Sequence, residues 1–79
     1  LPISPGYVTR ENIFLLESPQ ANAIKICPLK RYEIISILET KMTDERGQYS
    51  DYPTWYRVEL KNKKQGWVVG NSVSAGGGG

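Results

Sequence analysis

Seventy-nine residues leave room for a single small core, and 39% hydrophobic with 23% charged residues is the composition of a globular chain rather than a disordered one. The lone cysteine, Cys27, rules out an intrachain disulfide, and the absence of histidine removes His-containing zinc sites, Ser-His-Asp triads and Cys-His dyads. A net charge of +2 is far short of what phosphate-driven nucleic-acid binding draws on, and no apolar run approaches the length that spans a membrane.

The first six residues, Leu1-Pro2-Ile3-Ser4-Pro5-Gly6, hold two prolines and a glycine and read as an N-terminal linker. Tyr7-Val8-Thr9 and the apolar run Ile13-Phe14-Leu15-Leu16 follow as short strands, broken by the polar stretch Ser18-Pro19-Gln20-Ala21-Asn22. Lys30 to Leu38 carries Ile35 and Ile37 with period two and Ile34, Ser36 and Leu38 on the other face, the pattern of a strand. Trp55 to Leu60 alternates more cleanly, with Tyr56, Val58 and Leu60 toward a core and Trp55, Arg57 and Glu59 away from it. The polar turn Lys61 to Gln65 then joins this strand to Gly66-Trp67-Val68-Val69 as an antiparallel hairpin. Residues 74–79, ending in Gly76 to Gly79, have no core-forming side chain and read as a flexible Gly-rich tail or an engineered remnant.

Short strands and polar connections over residues 7–73 predict an all-β fold, a small five-stranded, partly open barrel that leaves few free sheet edges. One connection is long for so small a domain: Thr40 to Thr54, before the fourth expected strand, with Gly47, Pro53 and two tyrosines. Unstructured loops of that length are usually either functional or disordered.

The residues also resemble a known family. Val8-Thr9, three variable positions and then Ile13 to Pro19 is similar to the opening of bacterial Src homology 3 domains, whose pattern is Val-Thr followed by Leu-Asn-Val-Arg-Ser-Gly-Pro. Ile26, Leu29 and Ile35-Ser36-Ile37-Leu38 fall where that family has its next strand. Trp55-Tyr56-Arg57-Val58 looks like its Gly-Trp-Tyr-Lys-Val, and Gly66-Trp67-Val68 like the Gly-Trp-Val of its last hairpin, with Asn71-Ser72-Val73 at its short helical turn. The likeness covers Tyr7 to Val73. Phe14-Leu15-Leu16-Glu17-Ser18 departs from the family's Asn-Val-Arg-Ser-Gly, Tyr32 stands where a turn glycine is usual, and the Thr40–Thr54 loop is longer than the family pattern. The Ala-Leu-Tyr-Asp-Tyr segment of eukaryotic polyproline binders is missing as well. The resemblance implies a Src homology 3-like barrel with a short helical turn near the C-terminus, and a bacterial extracellular or periplasmic setting.

Trp55 is the first candidate for binding, because it opens a strand at the end of the long loop and lies on the non-core face; the competing reading is that it only seals the barrel beneath that loop. Tyr49 and Tyr52 flank Asp51 in the loop and are expected to form an aromatic wall with Trp55, or else simply to pack down. Tyr7 and Tyr32 complete the candidate ligand-binding set, with their roles open between core and surface. Trp67 and Tyr56 are assigned to the core and its margin. Lys61, Lys63 and Lys64 at a hairpin tip read as a solubility device, and Cys27 as a small buried hydrophobe. Asp44, Glu45 and Asp51 lack the ligand density of a calcium loop, so no metal, cofactor or catalytic residue is assigned.

Two functions compete. One is a non-catalytic module, monomeric, that targets a larger protein to bacterial cell-wall peptidoglycan or its peptides through a shallow aromatic groove, where backbone hydrogen bonds and aromatic walls supply affinity. The other is a protein-protein or intramolecular interaction domain of a sensor or scaffold, contacting a protein peptide or another domain of the same protein. A base-stacking barrel is disfavoured by Glu39, Asp44, Glu45 and Asp51 around the aromatic loop, membrane insertion by the short apolar runs, and an enzyme by the lack of room for a pocket that would shift a carboxyl group.

Overall fold

The computed structural model describes residues 4–75, which form one antiparallel sheet of seven strands with a single turn of helix. The strands are β1 (Ser4–Val8), β2 (Ile13–Leu16), β3 (Lys25–Leu29), β4 (Ile34–Lys41), β5 (Trp55–Glu59), β6 (Gln65–Val69) and β7 (Val73–Ala75), with a 3-10 turn at Gly70–Ser72. Their order across the sheet is β3-β2-β6-β5-β4-β1-β7. All five expected strands are present, and β3 and β7 add to them. Ser4 to Gly6, expected in a linker, pair with Ile37, Ser36 and Ile35 of β4, and Ser74 and Ala75, expected in the tail, pair with Tyr7 and Gly6. The remainder of those two segments, residues 1–3 and 76–79, lies outside the described residues.

Every strand sends a side chain into one core. Val8, Leu15, Leu29, Ile35, Ile37, Tyr56, Val58, Val68 and Val73 are buried in a single cluster, joined by Leu60 just beyond β5. Because Leu29 and Val73 come from opposite ends of the strand order, the sheet bends until its two end strands share that core. Alternation within each strand decides which residues point inward: Ile35 and Ile37 in β4, Tyr56 and Val58 in β5, and Val68 in β6. Full burial of such side chains stabilises a domain of this size by about 1.5–3 kcal/mol each, before conformational entropy is counted.

Three turns set the registers. Lys30 to Glu33, expected to begin a strand, instead form a turn in which the Glu33 N–H bonds the Lys30 carbonyl at 3.0 Å and the Glu33 carboxylate takes the Lys30 N–H at 2.9 Å. Tyr32 adopts a left-handed φ of 69° there and donates its N–H to the Val8 carbonyl, which ties the turn to β1. The β5–β6 hairpin closes through Lys63, with φ of 75°, whose N–H reaches the Leu60 carbonyl at 2.9 Å. The long connection is ordered too. Thr43 and Tyr49 form a β-bridge, Ser50 N–H bonds the Met42 carbonyl at 2.7 Å, and Gly47, at φ of 83°, supplies the left-handed residue of the tight turn between them.

Both outer strands are unattractive templates for further pairing. Pro28 lies within β3 and removes a donor from that edge, and β7 is three residues long.

Candidate functional site

The second face of the sheet carries the site. Antiparallel partners share a face, so the pairings Trp55–Val69, Arg57–Trp67 and Leu16–Trp67 put Leu16, Trp55, Arg57, Trp67 and Val69 together on the side away from the core. Phe14, two residues before Leu16, joins them. Runs that are apolar on both faces, Ile13 to Leu16 and Trp67 to Val69, are the reason: one set of side chains fills the core and the other is left for this second surface.

A groove of about 680 Å³ lies on it, floored by Trp55, Leu16 and Val69 and bounded by Ala21, Thr54 and the segment Asp44-Glu45-Arg46. Its walls come from two loops, the β2–β3 connection and the long β4–β5 connection. Hydrogen bonds position both. Thr54 donates its N–H to the Lys41 carbonyl at 2.8 Å while its hydroxyl lies within bonding reach of the carbonyls of Lys41 and Thr43, which pins the loop beside Trp55. The Asp44 carboxylate accepts the N–H groups of Arg46 at 2.9 Å and Gln48 at 2.8 Å, shaping the turn that carries Glu45. Hydrogen bonding from Gln48 holds the Asp44 carboxyl below its ordinary 3.8, against a smaller opposing effect of desolvation, with the Arg46 N–H, the Arg46 charge and the Gly47 N–H adding to the lowering. Across the groove, Glu45 Oε1 accepts the Ala21 N–H at 2.8 Å.

A smaller hollow of about 240 Å³ adjoins the first and shares Leu16, Ala21 and Val69 with it, continuing to Asn12, Ile13, Phe14 and Lys25. The Lys25 ammonium stands 4.5 Å from the centre of the Phe14 ring, a cation–π contact. Further along the same face, Arg57 bridges Glu39 through an ion pair and donates to Gln65 at 3.0 Å, and Gln65 in turn donates to Glu59 at 3.3 Å.

The expected aromatic wall is not assembled. Trp55 lines the groove on the face the alternation gave it but is only 6% exposed, which agrees with the competing expectation that it seals the sheet beneath the long loop. Tyr49 and Tyr52, 73% and 78% exposed, do not line the groove; Tyr49 sits at the Thr43 bridge and Tyr52 beyond the Ser50 turn. Tyr7 pairs with Ile34 on the outer face of β1 and β4, Tyr32 sits in the adjoining turn with Arg31 stacked on its ring, and neither lines the groove. Trp67 is half-buried on the outer face rather than in the core, whereas Tyr56 is a core residue. Sequence reasoning did not assign Leu16, Ala21, Thr54, Val69 or the segment Asp44-Glu45-Arg46 to the groove, nor Phe14 and Lys25 to the hollow beside it. For Phe14, Leu16 and Val69 the signal was the unbroken apolar runs, which in an antiparallel strand place hydrophobic side chains on both faces; Lys25 and the loop residues carried none.

Among the described residues no three His, Cys, Asp or Glu side chains gather in a way that would hold a metal ion, and no helix is long and apolar enough to cross a membrane. No known protein family matches the chain, and no curated protein matches it.

Proposed function

We propose that this chain is a non-catalytic binding module, Src homology 3-like in fold, that holds peptides of bacterial cell-wall peptidoglycan in the groove over Trp55 and so positions a larger protein. The observation that carries the reading is the groove itself: a shallow hollow over Trp55, Leu16 and Val69 on the second face of the sheet, where Trp55 and Leu16 are buried and Val69 is half-buried. An apolar floor with a few polar groups at the rim suits an extended peptide with small side chains, for which aromatic contact and backbone hydrogen bonds supply the affinity.

The barrel part of the proposal has its own support. If the β2–β3 hairpin is taken as an excursion, the remaining strands β6-β5-β4-β1-β7 stand side by side, bend around one core and reach the last strand through a single helical turn, as the family resemblance implies.

Fluorescence of the Trp67→Phe variant, in which Trp55 is the sole tryptophan, titrated with purified peptidoglycan fragments and with short glycine and alanine peptides, is the test. Saturable change that disappears when Val69→Glu fills the groove of a still-folded protein is the expected result. A flat titration with every fragment overturns the reading.

A second reading, contact with a protein partner or with another domain, is favoured by one observation. Ile34 and Tyr32 are exposed beside Tyr7 on the outer face of β1 and β4, an apolar area the sheet leaves uncovered. Loss of partner binding on Ile34→Lys, with groove ligands unaffected, would distinguish it.

A further inference from the structure

The groove and its adjoining hollow lie side by side, with Leu16, Ala21 and Val69 in the lining of both, and together they mark out a path across this face. The two ends of that path differ in charge. At one end Asp44 is already engaged, its Oδ1 by the N–H groups of Arg46 and Gln48 and its Oδ2 facing the Arg46 guanidinium at 3.9 Å. Glu45 gives only Oε1, to the Ala21 N–H, and among the described residues its second oxygen accepts no hydrogen bond and the carboxylate makes no ion pair. At the other end the Lys25 ammonium rests over Phe14 and, among the described residues, meets no carboxylate. Between them the shared lining is Leu16, Ala21 and Val69, which carries no charge. Lys41, opposite Trp55 in the β4–β5 ladder, does not line the path.

Building on the peptide-groove reading, for a peptide released from the wall rather than one still linked to it, we infer that the occupant is a short peptide with both termini free, bound in one direction, its ammonium at Glu45 and its carboxylate at Lys25. A ligand of opposite charge at its two ends neutralises both protein groups in that orientation and opposes both in the reverse one, so the ends set direction while the apolar floor supplies contact. A polyanion would bring its charges against Glu45, and a chain without free ends would leave both groups unpaired. The shared middle, lined by Leu16, Ala21 and Val69, offers no charged group to a side chain of the peptide, which suits alanine or glycine.

Calorimetric titration of the full chain with trialanine tests this, using four forms: both ends free, N-acetylated, C-amidated, and capped at both ends. The free form is expected to bind tightest, with each cap weakening it by about fivefold to tenfold, the scale of one charge-assisted contact. In Glu45→Gln, which keeps an acceptor for the Ala21 N–H, acetylation is expected to have no further effect, and in Lys25→Met the same holds for amidation. Circular dichroism confirms that each variant is folded. Equal binding of all four forms overturns the end-recognition inference and leaves the peptide groove standing. Cap effects that persist in both variants overturn the assignment to Glu45 and Lys25. No binding of any form to the folded wild type overturns the groove reading and this inference with it.

Discussion

Glu45 and Ala21, 24 residues apart in the chain, are joined by a 2.8 Å hydrogen bond from the Ala21 N–H to the Glu45 carboxylate, which spans the mouth of the groove over Trp55. This contact sets how far the two loops stand apart. Glu45→Ala removes the acceptor, and amide hydrogen exchange at Ala21 is expected to quicken several-fold, while global stability changes by less than about 1 kcal/mol because the bond is solvent-exposed. Glu45→Gln should restore most of the protection. Unchanged exchange at Ala21 in the alanine variant would show that the loops are held by their own turns alone.

Tyr32 adopts a left-handed backbone conformation, with φ of 69°, and its ring is exposed. A Cβ in that region costs roughly 1 kcal/mol, which glycine does not incur, whereas the Arg31 stack on the ring is worth about 0.5 kcal/mol at an exposed site. Tyr32→Gly is therefore expected to stabilise the domain by about 0.5 kcal/mol, raising the thermal midpoint by a few degrees. Because Tyr32 does not line the groove, peptide binding should be unaffected; a loss of binding in a stabilised variant would place a second contact surface at this turn.

Gly70 opens the helical turn after β6, and a Cβ there would stand 2.1 Å from the Pro53 carbonyl oxygen. That neighbour is backbone at the base of the long loop, where Gly70 also donates its N–H to Thr54 at 2.9 Å. Relief requires moving the loop or the turn, so Gly70→Ala is expected to destabilise by about 1–3 kcal/mol and to weaken ligand binding by displacing Thr54 at the groove wall. Urea denaturation gives the first effect and titration the second. A variant as stable as wild type would mean that the loop yields at little cost.

The core was legible in β4 and β5 because period-two alternation is local: Ile35, Ile37, Tyr56 and Val58 follow from counting alone, whereas in β6 the expectation put Trp67 inward and the structure puts Val68 there. The groove was less so, since it depends on which strands become neighbours. The Leu16–Trp67 pairing brings the β2–β3 hairpin against β6, a non-local contact that no window of sequence contains, and it carries Phe14, Leu16 and Lys25 to the site. Trp55 was assigned to the correct face from its alternation with Arg57 and Glu59, but its burial comes from the ordered loop above it. β3 was missed because Ile26, Cys27, Pro28 and Leu29 show no clean alternation and contain a proline, a combination tolerated only at a sheet edge, which is where this strand lies. β7 was missed because Ser74 and Ala75 carry little side-chain signal and are held by main-chain pairing with Gly6 and Tyr7.

Asp44 gives the site a dependence on acid. Its carboxylate organises the turn by accepting the N–H groups of Gln48 and Arg46, and those bonds exist in full only while it is ionised. The group's value in the folded state lies below its ordinary 3.8, so the charged form is favoured by folding. The sign follows: its contribution is fully present above the unfolded value near 3.8 and is lost as pH falls through the lower folded value. Neutral and mildly acidic solutions should leave the turn intact, and loosening of the Asp44–Gln48 turn should begin only below that range. Carbon-detected titration of the Asp44 carboxyl is expected to give a midpoint below 3.8, with the amide shifts of Gln48 and Arg46 following the same curve. Asp44→Asn keeps an acceptor oxygen but removes the charge, so the amide titration should disappear while the turn persists in weakened form. A midpoint at or above the ordinary value would mean that the Gln48 and Arg46 bonds do not persist in solution, and the shape of the Glu45 end of the groove would then have to come from the Thr43–Tyr49 bridge, the main-chain bonds of the turn and the Glu45–Ala21 bond.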